Sequence, residues 1–216
     1  MFAVLHVLGG MLAFFAITFV LPIIGSIVTR DGLLGDFLIG AGLNVLVGLG
    51  LSLAFRRYRR ELMPRDGFLL VTLVWSVLPA FGTLPLLLHL PELSFTDAYF
   101  EAVSGLTTTG ATVLTGLERL PTSINVWRCF MVLLGGMGIL VLVVAILPLL
   151  GVGGSQLFRA ESAGPMKDQK LTPRIAETAR GLWTVYFTLA FACFWAYRWA
   201  GMGWADAFMH MCSTMG

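Results

Sequence analysis

Residues 103–114 read VSGLTTTGATVL and lie between two long apolar runs. Three consecutive threonines, a glycine and an alanine are too polar for a lipid-facing helix and too apolar for an ordinary surface loop. What such a stretch offers is oxygen. Backbone carbonyls and threonine hydroxyls are the dipoles that can replace the lost water ligands of a dehydrated cation. A strand that turns successive carbonyls one way needs unusual dihedrals, and Gly110 is the position free to adopt them. Thr108 and Thr109 then offer carbonyls, with a threonine hydroxyl at the inner end. Ala111 and Thr112 complete the outward strand, their side chains small enough for neighbouring strands to approach a common axis. The plainer alternative is a polar turn after an outer helix.

The segment just before the strand must position it. Residues 95–106 suit a short helix: Ser94 or Thr96 can cap it, Asp97 sits in its first turn, and Tyr99, Phe100, Val103 and Leu106 give an apolar face. Such a helix is too short to cross a bilayer. A helix that enters from outside and turns back is the economical solution, because non-helical backbone survives at membrane depth only when buried in protein or lining a wet cavity. Its C-terminal, partially negative end then favours a cation. Asp97 and Glu101 either add negative potential near an outer mouth or act as cap and hydrogen-bond partners.

Composition sets the class. Of the 216 residues 57% are hydrophobic and 12% charged, and mean hydropathy is +0.87. Soluble domains carry roughly 25% charged residues, so the expectation is an all-α integral membrane protein. A net charge of +2, with no basic patch interleaved with aromatics, argues against a nucleic-acid partner. There is no nucleophile elbow, P-loop or zinc motif, and His6, His89 and His210 have no partner spacing, which argues against an enzyme. Cys129, Cys193 and Cys212 share no metal-like spacing and read as small buried hydrophobes.

Five uncharged stretches, 2–29, 37–55, 67–91, 129–158 and 181–197, meet or approach the ~20 residues a spanning helix needs. No Lys or Arg precedes the first, which reads as a retained span rather than a cleaved signal. Pro148 and the GVGG at 151–154 are expected to end the fourth. Of the 14 basic residues, Arg56, Arg57, Arg59, Arg60, Arg65, Arg159, Lys167, Lys170, Arg174 and Arg180 fall in two loops on one side. Arg30, Arg119, Arg128 and Arg198 fall on the other. The bias puts the Arg-rich loops and the N-terminus in the cytoplasm and residues 92–128 outside. Arg128 reads as an interfacial anchor, and Gly135, Gly136 and Gly138 as sites of close helix packing, with a hinge role second.

DAYFEAVSGLT at 97–107 aligns without gaps with DAFMHMCSTMG at 206–216, sharing Asp97/Asp206, Ala98/Ala207 and Ser104/Ser213. Each copy follows an apolar run, so the unit is span, short re-entrant helix, loop, span. The expected division is a two-helix hairpin at 1–60, a first repeat at 61–150, a cytoplasmic connection at 151–178, and the front half of a second repeat at 179–216. The second copy ends at Gly216, so the chain reads as the N-terminal part of a longer protein.

SGLTTTGAT, with GGMGILVLVVAILPLLGVGG at 135–154 and RIAETAR at 174–180, closely resembles the TrkH-type potassium uptake subunits of bacteria, in the Trk/Ktr/HKT superfamily. The resemblance implies an N-terminal two-helix hairpin followed by four M1–pore helix–filter–M2 repeats. Potassium is the transported ion, the filter lies at Thr108, Thr109, Gly110, Ala111 and Thr112, and no nucleotide is bound by this chain. It also implies a multi-pass protein of the bacterial inner membrane, a homodimer, and a cytosolic nucleotide-binding TrkA-like regulatory subunit. Arg56, Arg57, Arg59, Arg60, Arg159, Lys167 and Lys170 are candidate contacts for that partner. One complete filter strand of the four leaves an alternative, a non-conducting fragment with at most an assembly role.

Overall fold

The computed structural model describes residues 1–60, 62–146 and 171–216, and all regular structure among them is helical. The expected GVGG stop and the candidate contacts Arg159, Lys167 and Lys170 lie outside the described residues. The chain forms two compact units, Met1–Val132 and Leu133–Gly216. The residues expected as the hairpin, and those of the pore repeat up to Val132, lie within the first unit.

That unit begins with α1 (Phe2–Phe15) and α2 (Val20–Thr29), joined through a tight 3-10 turn at Ala16–Phe19. Pro22 has no N–H for the Thr18 carbonyl, which accounts for the tightening one turn earlier. α3 (Leu34–Ala54) returns against α1 at a glycine contact. A Cβ on Gly9 would lie 2.6 Å from the Gly48 carbonyl oxygen, and one on Gly48 only 2.5 Å from the Ala13 nitrogen. The two backbones touch, and any side chain there would force them apart.

α4 (Pro64–Gly82) and α5 (Leu84–His89) follow one another with a break at Thr83, then α6 (Phe95–Leu106) and α7 (Thr122–Ile146). Trp127 of α7, fully buried, ties the hairpin to the pore repeat. Its ring lies 4.4 Å from that of Phe19, 6.0 Å from Phe15 and 6.4 Å from Phe37, and its Nε1 donates to the Gly82 carbonyl at 2.9 Å. Asp31, in the loop between α2 and α3, adds a polar tie: it accepts from the Ser123 amide at 3.1 Å at the start of α7.

The second unit holds the C-terminal part of α7, α8 (Leu171–Trp199) and α9 (Trp204–Met215). Tyr186 of α8 donates to the Leu133 carbonyl at 3.1 Å, and a Cβ on Gly136 would lie 2.6 Å from that hydroxyl. Gly136 therefore makes room for a neighbouring helix, the packing role expected of it. Among the described residues four helices are long and apolar enough to cross a membrane: Phe2–Thr29, Leu34–Ala54, Arg65–His89 and Thr122–Leu140. The fifth expected span is a helix too, longer than the run at 181–197. Thr184, Tyr186, Thr188 and Arg198 make it less apolar than the other four. α6 and α9 have 12 residues each, and both of their ends match in the register read from the sequence repeat, Phe95 to Trp204 and Leu106 to Met215.

Candidate functional site

α6 starts where its sequence says it should. The Ser94 hydroxyl accepts from the Asp97 amide at 3.1 Å and donates to the Asp97 carboxylate at 2.7 Å. This leaves Asp97 in the cap of α6 rather than free at a mouth. Tyr99 reaches across to α4, its hydroxyl donating to the Ser76 carbonyl at 3.0 Å. At the other end Met131 of α7 packs between two glycines. A Cβ on Gly105 would lie 3.1 Å from its Cβ, and one on Gly82 3.2 Å from its sulfur.

α6 ends in a Schellman motif. The Thr108 amide donates to the Gly105 carbonyl at 2.9 Å and the Thr109 amide to the Ser104 carbonyl at 2.9 Å, while Thr108 takes the left-handed conformation at φ +58°. Glycine usually fills that position, and for a β-branched residue it is strained by roughly 1–3 kcal/mol. The unusual dihedral expected of Gly110 is present at φ +71°, with open space around the position of its absent Cβ. Thr108 is a second such position that glycine-counting misses. Residues 109–113 then run without regular structure and are exposed.

Two tethers from α6 hold this strand. Ser104 donates its hydroxyl to the Ala111 carbonyl at 2.6 Å. That carbonyl therefore faces the helix, whereas no described residue donates to the carbonyls of Thr108, Thr109 or Gly110. One turn earlier Glu101 takes the outer half. Its Oε1 accepts from the Thr112 hydroxyl at 2.5 Å and from the Val113 amide at 2.6 Å. Its Oε2 accepts from Arg128 Nε at 3.0 Å and Nη2 at 2.8 Å.

Arg128 also donates to the Thr112 hydroxyl at 2.9 Å and to Asn125 Oδ1 at 3.4 Å, and Asn125 in turn donates to the Leu117 carbonyl at 2.6 Å. The two charged side chains are only 2% and 15% exposed. Glu101 is therefore not a free negative charge at an outer mouth. Arg128 is no interfacial anchor either: it is the fork that neutralises Glu101. A lone carboxylate in the middle of an apolar helix, and an arginine in the next one, are the signals that point to such a pair.

On the opposite side of the predicted topology, Arg56, Arg57, Arg59 and Arg60 are exposed around a single 3-10 turn after α3. Arg60 pairs with Asp66 at 2.8 Å, and Asp66 also accepts from the Met63 amide at 3.1 Å. The carboxylate thus fixes the start of α4 and takes up one of the four arginines. Among the described residues no His, Cys, Asp and Glu gather as a metal site.

With this geometry in hand, a family model described as "TrkH: Cation transport protein" matches residues 35–215. The chain belongs to the TrkH family. The family is one of transporters, not enzymes, and a multi-pass membrane protein is what its helices form.

The "Trk system potassium uptake protein TrkH" of Halomonas elongata is 52% identical over 213 residues, which is 98% of this chain and 44% of that protein. Its namesake in Escherichia coli (strain K12) is 45% identical over 214 residues, covering 99% of this chain and again 44% of the relative. The crystal structure of the potassium transporter TrkH from Vibrio parahaemolyticus superposes with a TM-score of 0.84 at 42% identity, over 99% of this chain and 42% of that one. The chain thus spans less than half the length of the TrkH proteins it matches.

Proposed function

We infer that the chain carries one side of a potassium-selective pore, as part of the translocating subunit of a Trk-type uptake system. The observation that carries this reading is the non-helical strand after α6, exposed at residues 109–113, with Gly110 at φ +71° and the carbonyls of Thr108, Thr109 and Gly110 left unclaimed by the described residues. Free carbonyls on a strand held from behind can exchange for ion-bound water without further rearrangement. The Ala111 carbonyl and the Thr112 hydroxyl, occupied by α6 and α7, serve to shape the strand rather than to face the ion. Named potassium uptake proteins among the relatives supply the ion.

In this reading the protein sits in the bacterial inner membrane with its N-terminus in the cytoplasm, an orientation supported by the arginines at 56–60. A homodimer and a TrkA-like nucleotide-binding partner on that cytoplasmic face complete it, with Arg56, Arg57 and Arg59 as exposed contacts.

The test is Gly110→Val, with rubidium and sodium uptake measured in potassium-uptake-deficient cells. A valine at φ +71° is strained by roughly 1–3 kcal/mol, so the strand moves and flux or ion preference falls about tenfold or more. Unchanged rubidium uptake with unchanged preference over sodium rules the filter out.

A further inference from the structure

The strand does not hold its own shape. Among the described residues the side-chain hydrogen bonds to residues 111–114 come from three groups: Ser104, Glu101 and Arg128, apart from a local bond in which the Thr112 hydroxyl accepts from the Leu114 amide at 3.1 Å. Ser104 and Glu101 lie one turn apart on the same face of α6. Between them they fix a carbonyl at 111 and the hydroxyl and amides that follow, so residues 108–110 are held between this tether and the bonds of their own amides to the Gly105 and Ser104 carbonyls. Arg128 arrives from α7, 27 residues along the chain, and grips both the carboxylate and the Thr112 hydroxyl with one nitrogen.

We propose that Glu101 and Arg128 are positioning residues for ion selection: their buried pair sets the register of the strand at Thr112 and Val113, and through it the spacing of the carbonyls at 108–110. The proposal rests on the filter reading above. A pair that only stabilised the fold would need nothing but opposite charges in contact. This pair does more, because one carboxylate oxygen faces the arginine and the other faces the strand. The carboxylate is therefore required at position 101 and the cation at 128, and exchanging them is not neutral. Exchanged, the guanidinium would meet the Val113 amide donor to donor, leaving that amide unpaired.

Three variants, compared with the wild type and Gly110→Val, test this. Uptake of rubidium and of sodium gives the preference, and thermal unfolding of the purified protein gives the stability. Thr112→Val removes only the hydroxyl shared by Glu101 and Arg128. It is expected to leave the protein folded and to lower the rubidium-to-sodium preference about threefold to tenfold, the effect of losing a charge-assisted hydrogen bond. Glu101→Gln is expected to lower preference further.

The exchange Glu101→Arg with Arg128→Glu is expected to regain unfolding temperature relative to Glu101→Gln without regaining preference. Recovery of preference in the exchanged protein, or a Thr112→Val protein with wild-type preference, overturns the proposal. If Gly110→Val changes preference while these variants do not, the positioning role alone fails. If Gly110→Val also leaves preference intact, the filter reading itself fails.

Discussion

α6 and α9 are two versions of one helix. They have equal length and matched ends, and a residue without side-chain obstruction to an extended backbone precedes each: Ser94 at φ −67°, ψ 155° and Gly203 at φ −59°, ψ 163°. Asp97 and Asp206 both sit in the first turn, and Ala98 and Ala207 are both fully buried. The inner faces differ. Where α6 carries Glu101, buried and paired, α9 carries His210, exposed and 5.6 Å from the ring of Tyr197. Where the Ser104 hydroxyl leaves its helix for the Ala111 carbonyl, that of Ser213 turns back to the Met209 carbonyl at 3.1 Å. The helix therefore forms without a carboxylate in its middle turn. Glu101 is explained by what it holds, not by the helix it belongs to.

Exchanging the residues at this position gives the largest effect and the sharpest way to break the comparison. Glu101→His leaves Arg128, only 15% exposed, without its carboxylate and the Val113 amide without its acceptor. A broken buried pair of this kind costs about 3–5 kcal/mol. His210→Glu, at an exposed site, is expected to change stability by less than about 0.5 kcal/mol. Thermal or denaturant unfolding of the two purified variants checks both. Equal losses would mean that the two helices use this position alike.

A smaller effect lies within the first unit and depends on pH. Asp31 ties the hairpin to the first unit's α7. Burial alone would raise its carboxyl, but hydrogen bonds from Ser123, Ser26 and Leu33 outweigh that and hold it at about 2, below the ordinary 3.8. A carboxylate depressed in the folded state stabilises fully above its unfolded value and loses that contribution as pH falls from about 3.8 toward about 2. Asp31→Asn is expected to lower the unfolding temperature at neutral pH, by the roughly 0.3–1 kcal/mol of a carboxylate at a helix N-terminus. The difference from wild type should shrink as pH falls through about 2. A difference that persists undiminished at that pH would remove Asp31 as the acid-sensitive tie.

These contrasts also mark how far the sequence could be read. The bounds of α6 were legible because their causes are local: a serine cap, an aspartate three residues later, and a break after Leu106. The register of α9 followed from the repeat. Gly110 stood out because only glycine is free of a Cβ penalty at positive φ, but Thr108 did not, since its strained dihedral comes from the helix ending beneath it. Nor was the clamp legible. Glu101 and Arg128 are 27 residues apart, and their meeting depends on Met131 seating against Gly82 and Gly105 so that α6 and α7 close. Equally, the place of Trp127 in the cluster of Phe15, Phe19 and Phe37 depends on packing between residues far apart in the chain.

The smallest expected effect tests the part of the comparison in which the helices agree. At the N-cap, Ser94 already accepts from the Asp97 amide, whereas Gly203 offers no side chain to the Asp206 amide. A Cβ built on Gly203 would lie 3.1 Å from Asp206 Oδ2, the movable end of a side chain, and the backbone there already has the dihedrals of Ser94. Gly203→Ser is therefore expected to stabilise the protein by a few tenths of a kcal/mol, about what Ser94→Gly loses, since serine and glycine caps differ by that much. Opposite shifts of similar size in thermal unfolding would establish that the two starts are interchangeable. A Gly203→Ser protein less stable than wild type would mean that the Asp206 carboxylate cannot move aside, so that the second helix begins on different terms from the first.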